Sequence, residues 1–134
     1  MNWNEEEYDE FVKNLETKYP AMFSHPYGGV CVGKGWWPIV ESLCANIQGH
    51  LNWVNRNGTV VEQVVVMQIK EKFGGFRFYY EGGDDMINGL VTMAESWAIR
   101  SCEECGKPGK SRSGGWIRTL CDEHEAERQA RMKN

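Results

Sequence analysis

No run of apolar residues in this sequence approaches the roughly 20 that a membrane-spanning helix requires. The first residues, MNWNEEEYDEF, are acidic and lack the apolar core of a secretory signal, which predicts a cytoplasmic protein. Five cysteines are an odd number, so we expect reduced or metal-bound thiols rather than a disulfide framework. Internal repeats and low-complexity tracts are also lacking, and 134 residues fit one compact domain with a small appendage.

A broad basic surface is lacking as well. The net charge is −4 at pH 7, which argues against a general nucleic-acid coat. The charge is uneven, because residues 1–99 contain 7 basic and 13 acidic side chains, whereas residues 100–134 contain 8 and 6. The body of the protein is therefore acidic and its last quarter is slightly positive.

Hydrophobic periodicity predicts three helices and two strands in the order α-α-β-β-α. This order favours an α+β fold in which the helices pack on one face of a small antiparallel sheet. We assign residues 1–100 to this core domain. Residues 101–134 contain the metal-ligand pattern C-x2-C-x15-C-x2-H, and we assign them to a zinc-binding module that resembles a knuckle or ribbon. The predicted elements are helices over residues 5–19, 38–57 and 84–98, strands over residues 60–70 and 76–80, and a short final helix over residues 125–132.

The stretch IKEKFGGFRFYYEGG, residues 69–83, predicts a hairpin that turns at Gly74-Gly75. A loop of two or four residues places the apolar side chains of both strands on one face, as burial demands. A loop of three residues would instead set Lys70 against Phe78. The side chains expected on the buried face are Val65, Met67, Ile69, Phe76, Phe78 and Tyr80.

The opposite face of the hairpin carries Lys70, Lys72, Arg77 and Tyr79. One interpretation is a solvated sheet face, on which Lys72 and Arg77 stand opposite each other. The other is a site that binds an anion or the acidic patch of a partner. A glycine-rich loop that contains Trp36 and Trp37 is a second candidate surface for a partner or a nucleobase, with core packing as its alternative.

Four metal-ligand residues recur near the carboxyl end as C-x2-C-x15-C-x2-H. They are Cys102, Cys105, Cys121 and His124. Two residues between donors let one tight turn present both donors to a single tetrahedral ion, and three thiolates with one imidazole select Zn²⁺. Four protein donors leave no position for water, which predicts one structural zinc ion. We expect Trp116, Ile117 and Leu120 to dock this segment on the third predicted helix.

A catalytic constellation is harder to find. His25 and Cys31 flank the glycine-rich loop and could form a nucleophile with its base, but a third, orienting group is not evident. The chain also lacks the additional His, Asp and Asn residues that a metal-dependent nuclease normally places beside its zinc knuckles. The sequence therefore favours a protein that is not an enzyme.

Two stretches carry a resemblance. KEKFGGFRFYYEG, residues 70–82, and CEECGKPGKSRSGGWIRTLCDEH, residues 102–124, are similar to a family of small bacteriophage and prophage proteins. That family has a K-E-K-F-G-x-L/F-R-F-Y hairpin, then a helix and a zinc-type end. The likeness spans residues 36–125, with Phe76 where leucine is commoner. The resemblance implies a viral origin and an accessory role in the host cytosol, without assigning a chemistry.

Three functions follow from these patterns. The first is a non-catalytic accessory protein that binds a host protein, for example a component of defence or transcription. The second is a protein that binds nucleic acid or a nucleotide through the basic hairpin face and the zinc loop. The third is a zinc-associated nuclease or a Cys–His hydrolase.

Overall fold

The computed structural model describes residues 2–133 and confirms the α+β class. Residue 1, the first of the predicted core domain, and residue 134, the last of the predicted zinc-binding module, lie outside the described residues. All five predicted core elements are present, and the final helix begins three residues earlier than predicted. The elements are α1 (Glu5–Lys18), β1 (Val30–Cys31), a 3-10 turn (Lys34–Trp36), α2 (Trp37–Arg56), β2 (Val65–Lys72), β3 (Gly75–Glu81), α3 (Asp85–Ala98), β4 (Lys110–Arg112), β5 (Arg118–Leu120) and α4 (Asp122–Met132).

Helix α1 begins at a capping box. The Asn4 side chain accepts a hydrogen bond from the Glu7 backbone N–H at 2.8 Å, and the Glu7 carboxylate accepts one from the Asn4 N–H at 3.3 Å. The buried face of the helix includes Phe11, whose ring stacks on Trp37 with centroids 4.4 Å apart. This contact fixes α1 against the start of α2.

The main sheet has three strands in the order β1-β2-β3. Strands β2 and β3 form the predicted antiparallel hairpin, and β1 adds a parallel edge strand that the sequence did not predict. Val30 on β1 pairs with Ile69, and both side chains are fully buried. Only two residues long, β1 offers too short a pattern to be recognised as a strand.

The hairpin turns at Phe73-Gly74, one residue earlier than predicted. Lys72 pairs with Gly75, and the two turn residues have φ values of +53° and +77°. Because this loop also has two residues, Ile69 still shares a face with Phe78, as predicted.

An irregularity in the pairing between Val66 and Gln68 shifts the alternation of β2. The buried side chains before it are therefore Val64 and Val66, and the predicted burial of Val65 and Met67 is wrong.

A single large core joins the sheet to the helices. Helix α2 contributes the most buried side chains, and α3 packs its Ile87, Val91, Ala94 and Ala98 face against α2 and β3. In the described part of the chain, we find no helix with the length and apolar character needed to cross a membrane.

The positive φ of Phe73 gives a first prediction. A bulky residue is strained in this backbone region, whereas Asn-Gly is the preferred dipeptide for such a turn. Phe73→Asn is expected to raise the free energy of unfolding by about 1 kcal/mol in urea titrations. Val60→Asn, at an exposed position without positive φ, is the control and should change it by less than about 0.5 kcal/mol. A Phe73→Asn protein less stable than the native chain would contradict this account of the turn.

Candidate metal centre and neighbouring surfaces

The four predicted metal ligands converge on one point. The donor atoms of Cys102, Cys105, Cys121 and His124 all lie within 4.8 Å of one another. His124 Nδ1 is 3.5 Å from Cys102 Sγ and 3.2 Å from Cys121 Sγ, and Cys105 Sγ is 3.8 Å from Cys121 Sγ. Sulfurs bound to one tetrahedral ion at about 2.3 Å stand about 3.8 Å apart. The cluster is therefore geometrically able to hold one metal ion.

Local backbone structure places the donors in pairs. Cys102 and Cys105 flank a tight turn that is closed by a hydrogen bond from Gly106 N–H to the Cys102 carbonyl, at 2.8 Å. Cys121 is the N-cap of α4, and its sulfur accepts the His124 backbone N–H at 3.4 Å. Hydrogen bonds to this sulfur, that of the His124 N–H foremost, lower the pKa of the Cys121 thiol to about 7, whereas burial foremost raises the pKa of the Cys105 thiol to about 11.

The second nitrogen of His124 faces carboxylates. Its Nε2 lies 3.8 Å from Glu104 Oε2 and 3.9 Å from Glu127 Oε2. Glu104 Oε2 is buried and has no hydrogen-bond partner among the described residues. The other ring nitrogen, Nδ1, is the one that faces the sulfurs of Cys102 and Cys121.

Glu103, between the first two cysteines, ties the metal-binding segment together. Its buried carboxylate accepts hydrogen bonds from Thr119 N–H at 3.0 Å and from Arg118 Nε at 2.9 Å. Burial raises the pKa of this carboxyl group, and the two donors oppose that effect. The Glu103 carbonyl accepts the Gly35 N–H at 2.9 Å, so one residue links the cysteine turn to both β5 and the core.

Trp36 and Trp37 were predicted as partner-binding residues, and the structure contradicts this because both are buried. Trp36 is 0% exposed, donates its indole N–H to the Ser101 carbonyl at 2.8 Å and meets Phe76 edge-on. Trp37 is 8% exposed and packs on Phe11. The glycine-rich loop instead supports the metal centre, because a Cβ atom on Gly35 would collide with the Cys102 carbonyl and the Cys105 amide.

The basic hairpin face is partly open to solvent, with Lys70 and Arg77 half-buried. Lys70 stands opposite Arg77, rather than Lys72 as expected, and Arg77 Nη1 reaches Glu95 Oε2 on α3 at 3.4 Å. Lys72 and Tyr79 are exposed. Two arginines of the metal-binding segment make ion pairs within it, since Arg118 contacts Glu103 and Arg112 contacts Asp122 at 2.8 Å. Whether this face binds an anion stays a prediction.

A cleft at the hairpin tip is the feature that the sequence did not reveal. Trp116 and Ile117 do not dock on α3. Trp116 is 75% exposed, and Ile117 lies beside Gly74 at the tip of the hairpin. The Thr119 hydroxyl donates to the Gly74 carbonyl at 2.7 Å and fixes this approach. Leu120 is buried, but against Cys102 and Cys121. The one hint in the sequence was Phe73, a bulky aromatic residue directly before the two glycines of the turn.

The remaining candidate nucleophile finds no support. His25 Nδ1 lies 2.7 Å from the Pro26 carbonyl oxygen, and no hydrogen bond joins His25 to Cys31 among the described residues.

Cys44 is buried within α2, and burial raises the pKa of its thiol to about 12, so it is inert at neutral pH.

Comparisons of the chain with models of protein families, with curated proteins and with solved structures find no match.

The cysteines give a second prediction. Cys102→Ser or Cys121→Ser should reduce bound metal well below one equivalent per chain, because a serine hydroxyl is a poor replacement for a thiolate. Elemental analysis of the purified protein measures this. Cys31→Ser, outside the cluster, is the matched control and should retain one equivalent. Equal metal content in all the variants would rule the cluster out as the metal site.

Two glycines give a third prediction. Gly35→Ala should destabilise the protein by about 1–3 kcal/mol and weaken metal retention in a chelator competition, because backbone atoms of the cysteine turn cannot move aside. Gly49→Ala, on the exposed side of α2 with nothing within 4 Å of the added methyl, should stabilise it by about 0.5–1 kcal/mol. Similar effects of both substitutions would show that the loop does not support the metal centre.

Proposed function

We propose that this chain is a zinc-stabilised, non-catalytic module that binds another protein through the cleft at its hairpin tip. Three sulfur donors and one imidazole are the chemistry that zinc prefers, and four protein donors complete a tetrahedral shell. A complete shell leaves no position for a reacting water, so the role assigned to the ion is structural.

The observation that carries this proposal is the exposed apolar cleft between the hairpin and the metal-binding segment. It has a volume of about 360 Å³ and is lined by Glu71, Lys72 and Phe73 on one side and by Gly115, Trp116 and Ile117 on the other. The Glu71 carboxylate is engaged by the Gly74 N–H at 2.6 Å. Phe73 is 73% exposed and Trp116 is 75% exposed. Large aromatic side chains of this kind dominate the energy of protein interfaces. Because one wall belongs to the metal-binding segment, the cleft depends on the ion.

Backbone strain at Phe73 also supports a binding role. The left-handed conformation costs free energy for a phenylalanine and yields no compensating burial of its ring. Strained residues tend to persist where function requires them. The conformation turns the ring toward solvent beside Trp116, which is where a partner would contact it.

The charges around the cleft indicate the chemistry of the partner. Lys72 Nζ lies 6.0 Å from the centroid of the Phe73 ring, and Lys70 follows on the same strand face. A segment with an apolar side chain for the cleft and acidic residues for the lysines would complement this surface. The resemblance to phage proteins makes a host protein, acting in defence or transcription, the proposed partner.

Affinity capture from host lysate tests the proposal and provides a fourth prediction. We expect the zinc-loaded chain to retain a host protein that Phe73→Asn and Trp116→Ala lose, with affinity at least about tenfold weaker for each variant. Trp53→Ala, which removes an exposed tryptophan from α2, is the matched control and should bind like the native chain. Chelation of the ion should also abolish capture. Capture that is unaffected by both cleft variants would contradict the proposal.

Nucleic-acid binding is the second candidate, favoured by the open face with Lys70, Lys72 and Tyr79. The ion pair between Arg77 and Glu95 reduces the positive charge of that face, and the acidic body of the chain opposes a polyanion. The same variants separate the two functions. Nucleic-acid binding would weaken steeply with added salt and disappear on Lys70/Lys72/Arg77→Ala while surviving Phe73→Asn.

A further inference from the structure

Helix α3 carries a second apolar face that the core does not use. Met86 and Met93 are 58% and 69% exposed, Trp97 is 45% exposed, and Leu90 between them is half-buried. We call these four residues the α3 stripe. They follow one another at intervals of four, three and four residues, which is the spacing of a helix face that packs along another helix.

A shallow apolar groove runs beside the stripe, between α3 and α2. Its volume is about 100 Å³. The α2 side presents Ser42 and Asn46, which are small and uncharged, above the buried Ile39 and Leu43. Stripe and groove together form one continuous surface, and none of the residues that line the cleft at the hairpin tip belongs to it.

The middle of this surface offers no charge to a partner. Between Asp85 and Arg100, which lie at its two ends, Glu95 is the one ionisable side chain, and it is turned toward Arg77 on β3. A strongly charged partner would find nothing complementary here, whereas a second copy of the same uncharged face meets no repulsion despite the net charge of −4.

The spacing of the stripe is also self-complementary. Because four, three and four read the same in both directions, two copies of α3 in antiparallel orientation place Met86 opposite the partner's Trp97 and Leu90 opposite the partner's Met93. A parallel arrangement would set Trp97 against Trp97.

We propose that the chain forms a two-fold symmetric homodimer through antiparallel packing of the α3 stripes. The exposed stripe residues contribute roughly 100 Å² each. With the groove, the surface buried per copy is below the ~800 Å² of a standard stable interface. The dimer is therefore in reversible equilibrium with the monomer at micromolar or higher concentrations.

Sedimentation equilibrium of the zinc-loaded full chain over a wide concentration range tests this fifth prediction. The native mass should rise from 15.4 kDa toward twice that value. Met93→Glu should lower the association constant at least about tenfold, because it would bury a charge at an apolar interface. Val60→Glu adds the same charge at a 95% exposed site outside the stripe and should associate like the native chain. Retained metal and an unchanged circular dichroism spectrum would show that each variant folds.

A mixing experiment tests the antiparallel orientation. Met86→Glu and Trp97→Lys should each be monomeric alone, whereas an equimolar mixture should form heterodimers, because the new glutamate then faces the new lysine. A native chain that stays monomeric at the highest concentration would overturn the proposal, as expected if a heterologous protein or a lipid surface covers the stripe instead. Unchanged association of Met93→Glu, or a mixture that stays monomeric, would overturn it as well.

Discussion

The proposed coordination of one zinc ion by Cys102, Cys105, Cys121 and His124, whose donor atoms converge, is the interaction on which the carboxyl-terminal quarter of the chain would depend. The buried apolar cluster of this segment consists of Cys102, Leu120 and Cys121 alone among the described residues. Such a small cluster cannot offset the conformational entropy of ordering a loop rich in glycine, serine and basic residues. Zinc binding supplies on the order of 10 kcal/mol in small zinc modules, which would be sufficient to order this segment.

The ordered segment in turn completes the surface of the core. Glu103 connects the cysteine turn to β5 and to Gly35, and Thr119 connects β5 to the hairpin tip. These hydrogen bonds transmit the position of the metal centre to Trp116 and Ile117, which form one wall of the proposed binding cleft. In the proposed function, a structural ion would thus influence partner binding without contacting the partner.

The sequence predicted the features that depend on local patterns. Helices α1, α2 and α3 have clear apolar periodicity, and the four metal ligands have diagnostic spacing, so both were found. The features that were missed depend on tertiary contacts. Strand β1 exists because β2 lies beside it, and the irregularity after Val66 changes which valines are buried. Composition alone could not distinguish the buried Trp36 from the exposed Trp116, since each follows glycine in a glycine-rich loop.

Hydrogen exchange of the Thr119 amide, with and without bound zinc, measures whether zinc orders the carboxyl-terminal segment. This amide donates to the buried Glu103 carboxylate and has no role in coordinating the ion. If zinc orders the segment, the Thr119 amide is strongly protected with zinc and loses nearly all of its protection after chelation. Amides of the β2–β3 hairpin near Ile69 should stay protected in both states. Equal protection of Thr119 in both states would show that the segment is ordered without the metal, which would contradict the structural role proposed for zinc.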